Sequence, residues 1–405
     1  MTLANHICSR LTTLGVPTRV DGDALYASFG GEQKKIRLDP DWEDAFAYYT
    51  KARSRHFDND DLSFALNGSI EFPLVKLGPD SYRENVDTFS DEKGNSVKIS
   101  KASISYSLAH FDSPDYERYF NVLVRDRIER INSRLGRPLY TIFRSPITAT
   151  YLAKGRKTPS NLKELAIERI RSCLVKMAVE RHACFEFFKP RNRKSFALLG
   201  DSAATDDEIP RVTYEKNVVG YYKVARSSPF PSQSFLAYYH VLEYYFLKVS
   251  EDALHHQLRA LINKTNFRSN TEGIDKVISL VRKQANQDNE TEMLRKVLQR
   301  FVAEEDFVTY VNRIEAAHGE KLYTKRRLIF GEQLNISLAE GHALSNAANV
   351  LKHVRNAIVH SSDRYKREEC HIPLSDTENT IEEFIPIVRF FAEQVIFGTS
   401  TPHQL

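Results

Sequence analysis

The spacing of apolar positions changes about halfway along the chain. Up to about residue 155, short apolar runs are bounded by Gly, Pro, Asp or Asn. Segments 24–29, 69–77, 97–108 and 139–152 are rich in β-branched and aromatic residues, which predicts strands. In the third, Ala102, Ile104, Tyr106 and Leu108 alternate with Ser103, Ser105 and Ser107, the period of a half-buried strand. Gly30-Gly31 reads as a hairpin turn. Residues 3–14 predict a short helix, and 115–135 a longer one that stops before Gly136 and Pro138. Residues 160–188 predict a single long helix, with Leu162, Leu165, Ile170, Leu174, Met177 and Val179 toward one side. A strand is expected over 211–224.

From residue 232 onward the period is almost wholly helical. Residues 235–249 are apolar around most of the circumference, which predicts one buried central helix. Further helices are expected over 273–285, 290–301, 303–317 and 339–360. The last covers 381–397, with Thr380 and Glu383 as a capping box, Gly398 as a stop and Pro386 as a kink. The expected fold is therefore α+β: a mixed α/β domain over 1–200, a linker region over 201–231 and an all-α bundle over 232–400.

Composition narrows the function classes. With 41% hydrophobic and 27% charged residues the chain reads as globular, and no apolar run approaches the ~18 residues of a membrane span. The first residues lack the pattern of a signal peptide, and the four cysteines are scattered without CxxC spacing. The expectation is a cytoplasmic protein with no disulfide framework, no metal site and no cofactor. Walker A, GxGxxG, HExxH and GxSxG patterns do not occur in the first 200 residues. Net charge is only +4, but residues 121–200 carry 18 Lys and Arg against 6 Asp and Glu. Such a block suits a phosphate backbone, and Arg156, Lys157, Lys189, Arg191, Arg193 and Lys194 are its candidate RNA-binding residues.

One motif carries chemistry. Arg-x4-His is expected about once by chance in a chain with 33 Arg and 13 His. It occurs twice here, at Arg313–His318 and at Arg355-Asn356-Ala357-Ile358-Val359-His360. Around the second copy Leu344, Ala347, Leu351, Val354 and Ile358 form an apolar helical stripe. Asn349, His353, Asn356 and His360 share another face. Histidine titrates near neutrality and suits proton transfer, while the arginine fork matches phosphate oxygens. Asn356 could hold a phosphate or fix a ring. Gly319, directly after the first copy, marks that one as a helix end.

The second copy resembles the Arg-polar-x3-His motif of the HEPN superfamily of RNA-cleaving helical bundles. The resemblance covers about residues 232–397 and leaves the first 200 unaccounted for. It implies metal-independent RNA cleavage by Arg355, Asn356 and His360, with attack by the RNA's own 2′-hydroxyl. It also implies an acidic residue on an early helix, and Glu243 is the candidate to orient Arg355 or His360. It implies a homodimer with a composite site as well. That agrees with geometry, because five helical residues separate two side chains by about 140°. Prokaryotic toxins, abortive-infection proteins and antiviral effectors share this architecture, so the resemblance also implies that the N-terminal part senses a trigger or presents RNA, with a trigger or antitoxin as partner. A non-catalytic nucleic-acid-binding or dimerising scaffold is the rival reading.

Overall fold

The structure is a computed structural model. It describes residues 2–21, 24–29, 32–37, 39–78, 86–124, 137–138, 142–143, 145–155, 159–188, 211–287, 289–360 and 370–402. The chain forms two compact units, Met1–Asn192 and Arg193–Leu405. The first unit combines the four- and seven-stranded sheets with helices and the second is mainly helical, so the architecture is α+β. Among the described residues no helix is long and apolar enough to cross a membrane.

In the first unit, α1 (Leu3–Thr13) leads into an antiparallel meander of β1 (Thr18–Asp21), β2 (Ala24–Phe29) and β3 (Glu32–Arg37), with Phe29 opposite Glu32. After α2 (Pro40–Lys51) come β4 (Arg55–Phe57), β5 (Phe64–Leu66), β6 (Ser69–Leu77), β7 (Asp87–Ser90) and β8 (Ser96–Lys101). Next are α3 (Ile104–Asp112) and α4 (Asp115–Tyr119), the latter continued by a π-helical turn, Phe120–Val124. The short β9 (Arg137–Pro138) joins the meander in parallel with β3. The strand β10 (Ile147–Leu152), helix α5 (Pro159–Arg181) and strand β11 (Cys184–Phe187) complete the unit. The larger sheet runs β4-β5-β6-β10-β8-β7, with β11 paired to β6. Ile70, Phe72, Val97, Ile99, Ala149 and Tyr151 point from one face onto Leu162, Ala166, Ile170, Leu174 and Met177 of α5, steps of four and three residues that make one helical stripe.

Several expectations for this unit change. The alternation at 102–108 is not a strand. The strand ends at Lys101, and Ser103 caps α3 by accepting from the Tyr106 amide at 3.0 Å. A serine three residues into an apolar run acts as a stop and a new start. The buried carboxylate of Glu71 reinforces that corner, accepting from the Ser103 amide (2.9 Å), the Ser103 hydroxyl (2.7 Å) and the Thr148 hydroxyl (2.7 Å). Burial pushes its carboxyl up from the ordinary range, against these three donors. The single helix expected over 160–188 stops at Arg181. His182 then adopts φ 54° and the chain returns as β11, while Val179 is exposed. Of the strand expected over 139–152, β10 covers Ile147–Leu152, and positions 139–141 and 144 lie outside the described residues.

In the second unit, β12 (Val212–Thr213) pairs with the last strand, β15 (Thr401–Pro402). Between them lie α6 (Lys216–Ser227), α7 (Pro231–Glu243), α8 (Phe246–Ile262), α9 (Thr271–Gln287), α10 (Glu290–Phe301) and α11 (Glu304–His318). They are followed by a hairpin of β13 (Arg327–Ile329) and β14 (Glu332–Leu334), then α12 (Ala343–Val359) and α13 (Thr377–Gly398). Residues 216–227, expected as linker and strand, form a helix. Glu215 caps it, accepting from the Asn217 amide, while Val218 and Ala225 are buried and Tyr222 donates to Glu393 at 2.6 Å. The helix expected over 235–249 is two helices, broken at Tyr244-Tyr245. Tyr245 turns inward there, and its hydroxyl donates to Thr399 at 3.0 Å. The expected capping box also fails. Helix α13 begins at Thr377, and Glu383 instead pairs with Arg327 of the hairpin.

Leu351, fully buried in the bundle, and Val359, exposed at the end of the same helix, offer a direct check on this packing. Leu351→Ala should lower stability by ~2–5 kcal/mol. Val359→Ala should change it by less than ~0.5 kcal/mol. Urea unfolding of both variants measures the contrast.

Candidate functional site

Glu243 ends α7, Glu290 opens α10, and Arg355 sits one turn before the end of α12. The structure brings these three together. The Arg355 guanidinium donates through Nη2 to Glu243 Oε1 at 3.3 Å and places Nε 3.5 Å from Glu290 Oε1. Its Nη1 donates to Asn356 Oδ1 at 3.3 Å. All three charged side chains are roughly one-fifth to one-quarter exposed. Ion pairs at this depth are strong only when the remaining polar positions are satisfied. Here Tyr239 helps, its hydroxyl 3.5 Å from Glu290 Oε1. Burial first, then the neighbouring carboxylates, push that phenol far above its ordinary range.

Glu243 has a second partner. His240, one turn earlier on α7, donates through Nδ1 to Glu243 Oε2 at 2.6 Å, and its ring lies 5.4 Å from that of Tyr221. The two oxygens of Glu243 therefore serve one cation and one imidazole. Expected within a single helix over 235–249, Glu243 instead stands at a helix end, beside the break at Tyr244.

His360 lies just past the helix. Its amide closes the last turn on Asn356 O at 2.9 Å, its backbone leaves the helix at φ −101° and ψ 74°, and its ring is exposed with no side-chain partner among the described residues. The free carbonyls of the last turn are taken up from outside. Cys370 Sγ donates to His360 O at 3.1 Å, and the His371 amide donates to Ala357 O at 2.9 Å. The His371 ring is buried between Thr377 Oγ1 (2.8 Å) and Glu378 (3.4 Å). Burial opposes the charge on Glu378, but hydrogen bonds from His371 and from the Ser232 amide and hydroxyl hold its carboxyl below the usual range. The chain end of α12 is thereby tied to the start of α7.

The polar stripe expected along α12 divides. His353 points its Nε2 at the carbonyls of Ile329 (2.9 Å) and Phe330 (3.2 Å), so it fastens the β13–β14 hairpin. Asn349 is exposed. The rival motif is a helix end: Arg313 lies 5.6 Å over the Tyr310 ring, and Gly319 closes α11 at φ 68°. The candidate RNA-binding residues Arg156, Lys157, Lys189, Arg191, Arg193 and Lys194 lie outside the described residues. Other cations of the same basic block are engaged: Lys163 with Asp58 and Asp61 at 2.7 and 2.8 Å, and Arg181 with Asp87. The sequence reading missed Glu290, Tyr239 and His371. Only the placement of Glu290 in a helix's first turn, where the dipole favours an acid, was a local signal for any of them.

The chain matches no family model, no curated protein and no solved structure.

The Arg355 clamp makes a prediction of its own. Arg355→Met leaves Glu243 and Glu290 facing one another without a cation. The melting temperature of this variant should therefore fall further at pH 7 than in acid, where carboxyls take up protons. Adding Glu243→Gln should recover part of the loss at pH 7. A differential scanning calorimetry series over pH checks both, and an equal loss at all pH values would mean that the charges are not coupled.

Proposed function

We propose that the helical unit is a metal-independent RNA endonuclease of the HEPN type. The observation that carries this reading is the Arg355 arrangement. Carboxylates from two other helices hold the guanidinium in one orientation, Asn356 lies against it, and an ionisable histidine stands exposed at the end of the same helix. In this reading Glu243 and Glu290 orient Arg355, whose remaining N–H groups meet the oxygens of a scissile phosphate. A planar, permanently charged fork suits the charge that builds on those oxygens. Asn356 adds an amide to the same phosphate. His360 moves a proton, either from the 2′-hydroxyl or to the departing 5′-oxygen. The RNA supplies the nucleophile, so the 2′-oxygen forms a bond to phosphorus as the 5′-oxygen leaves. The products are a 2′,3′-cyclic phosphate and a 5′-hydroxyl.

A homodimer belongs to this proposal, with His360 of one copy serving the phosphate held by Arg355 of the other. Arg156, Lys157, Lys189, Arg191, Arg193 and Lys194 would bind RNA, and the setting would be antiviral defence or toxicity under a trigger or antitoxin. The rival is a bundle that only binds or scaffolds, in which the Arg355 ion pairs serve to join helices.

Cleavage separates the two. His360→Ala should keep the fold, because the ring has no side-chain partner among the described residues, while cleavage falls by ~10²-fold or more. Arg355→Lys should not restore activity, since an ammonium lacks the fork. Cutting of total RNA should persist in EDTA, and a 2′-deoxy nucleotide at the cut site should abolish it. His318→Ala should retain activity. Full activity in the His360 variant, or activity lost with EDTA, would overturn the assignment.

A further inference from the structure

The larger sheet of the first unit has a second face, and its cross-strand register sets four unlike side chains in a row. Phe64 of β5 stands opposite Glu71 of β6, Glu71 opposite Thr150 of β10, and Thr150 opposite Lys98 of β8. Directly opposed residues share a face, so an aromatic ring, a carboxylate, a hydroxyl and an ammonium follow one another across the sheet. At ~4.8 Å per strand, the row spans three gaps, or about 14 Å. It floors a cup of about 280 Å³, walled by Tyr48 of α2, Ser103 and Ser105 at the start of α3, and Lys101.

The groups in this cup keep bonding capacity. Glu71 is 4% exposed, and its Oε2 accepts only from the Ser103 hydroxyl, whereas Oε1 accepts twice. A carboxylate oxygen offers about two acceptor directions, so one at Oε2 faces no described donor. The hydroxyls of Thr150 and Ser105 have no hydrogen-bond partner among the described residues, and the Lys98 ammonium makes no hydrogen bond there, although its charge favours the ionised form of Glu71. Tyr48 is held at the mouth by a hydrogen bond from Asn67 Nδ2 to its hydroxyl at 3.1 Å, which leaves its ring half exposed.

A ligand that fills this row must be apolar and flat at one end, offer a hydroxyl or amine in the middle, and be anionic at the other. A bare phosphate fails, because the buried Glu71 would repel it at the floor. A wholly apolar molecule fails, because Glu71 and Thr150 would lose water without replacement. We propose that the cup binds one ribonucleoside monophosphate. The base lies against the half-exposed Tyr48 ring, a ribose hydroxyl donates to Glu71, and the phosphate meets Lys98 and the Thr150 hydroxyl. Acidic side chains take ribose hydroxyls in this way in other nucleotide sites. The volume lies at the lower edge of ligand pockets, which limits the occupant to a single nucleotide. This site belongs to the first unit and does not rest on the cleavage reading.

The test is calorimetric titration of the full-length protein with AMP in EDTA. Saturable binding of one equivalent is expected, at least ~10-fold weaker for adenosine, which lacks the phosphate. Lys98→Met should weaken AMP by ~10-fold or more, as loss of a charge-assisted contact does. Thr150→Val, which keeps the shape and removes the hydroxyl, should weaken it severalfold with an unchanged circular dichroism spectrum. A 5′-phosphorylated tetraribonucleotide identifies the source of the nucleotide, because binding tighter than AMP would indicate an RNA end and weaker binding a free nucleotide. The proposal is overturned by absence of saturable AMP binding at millimolar concentration, by equal affinity for adenosine, or by unchanged affinity in the Lys98 variant.

Discussion

A guanidinium that is mostly withdrawn from water needs anions beside it, and in the helical unit that requirement fixes where three helices meet. Arg355 of α12 is answered by Glu243 at the end of α7 and by Glu290 at the start of α10. None of these helices can slide by a turn without stranding a charge, which costs several kcal/mol where water is scarce. The opposite end of α7 has a matching lock. Glu378 of α13 accepts from the Ser232 amide and hydroxyl there, and His371 links Glu378 to the carbonyl end of α12. Helix α7 is thus pinned at both ends by carboxylates that reach, directly or through His371, to α12. Its buried side chains Phe235, Tyr238, Tyr239 and Leu242 fill the space between.

Much of this bundle was legible in the chain, for a physical reason. Helices α10, α12 and α13 each bury one stripe against a common core, so the apolar period survives in the sequence, and their extents came within a few residues. The failures occur where local chemistry interrupts the period. At 102–108 the apolar and serine residues alternate as in a strand, yet Ser103 caps a helix and donates its own amide and hydroxyl to Glu71. That partner lies 32 positions away, beyond the reach of any local pattern. At 216–227 the paired valines and tyrosines resemble strand composition, but Val218, Tyr222 and Ala225 sit one helical turn apart and pack inward. The β5–β6 hairpin was missed although its signal was present. Asn67 (φ 47°) and Gly68 (φ 87°) form the tight turn that an Asn-Gly pair favours.

The candidate site divides along the same line. Arg355, Asn356 and His360 are neighbours in sequence, so a motif can find them, and Glu243 was the candidate for the acid that the resemblance places on an early helix. Glu290 is 65 positions before Arg355 in an unremarkable acidic helix start, and only the packing of α10 beside α12 assigns it a partner. The reverse also holds for His353. Its spacing placed it with the candidate site, but the hairpin carbonyls of Ile329 and Phe330 take its ring. Periodicity reports which face a side chain occupies and cannot report what stands opposite.

The two ends of the motif meet different constraints, and this bears on how a site of this kind would work. Arg355 lies within the regular helix, where Glu243 and Glu290 draw its guanidinium toward α7 and α10. His360 lies beyond the last turn, at backbone angles that depart from the helix, and Cys370 and His371 hold the chain there through carbonyls only. The backbone of His360 is therefore fixed, while no side chain among the described residues holds its ring. A group poised for proton transfer needs a partner to set its orientation, and in one copy of the chain no described side chain supplies it. If the phosphate and a second copy complete the site, the ring is ordered only when RNA and both chains are present. The acid or base would then be assembled by binding, whereas the arginine clamp is built by folding.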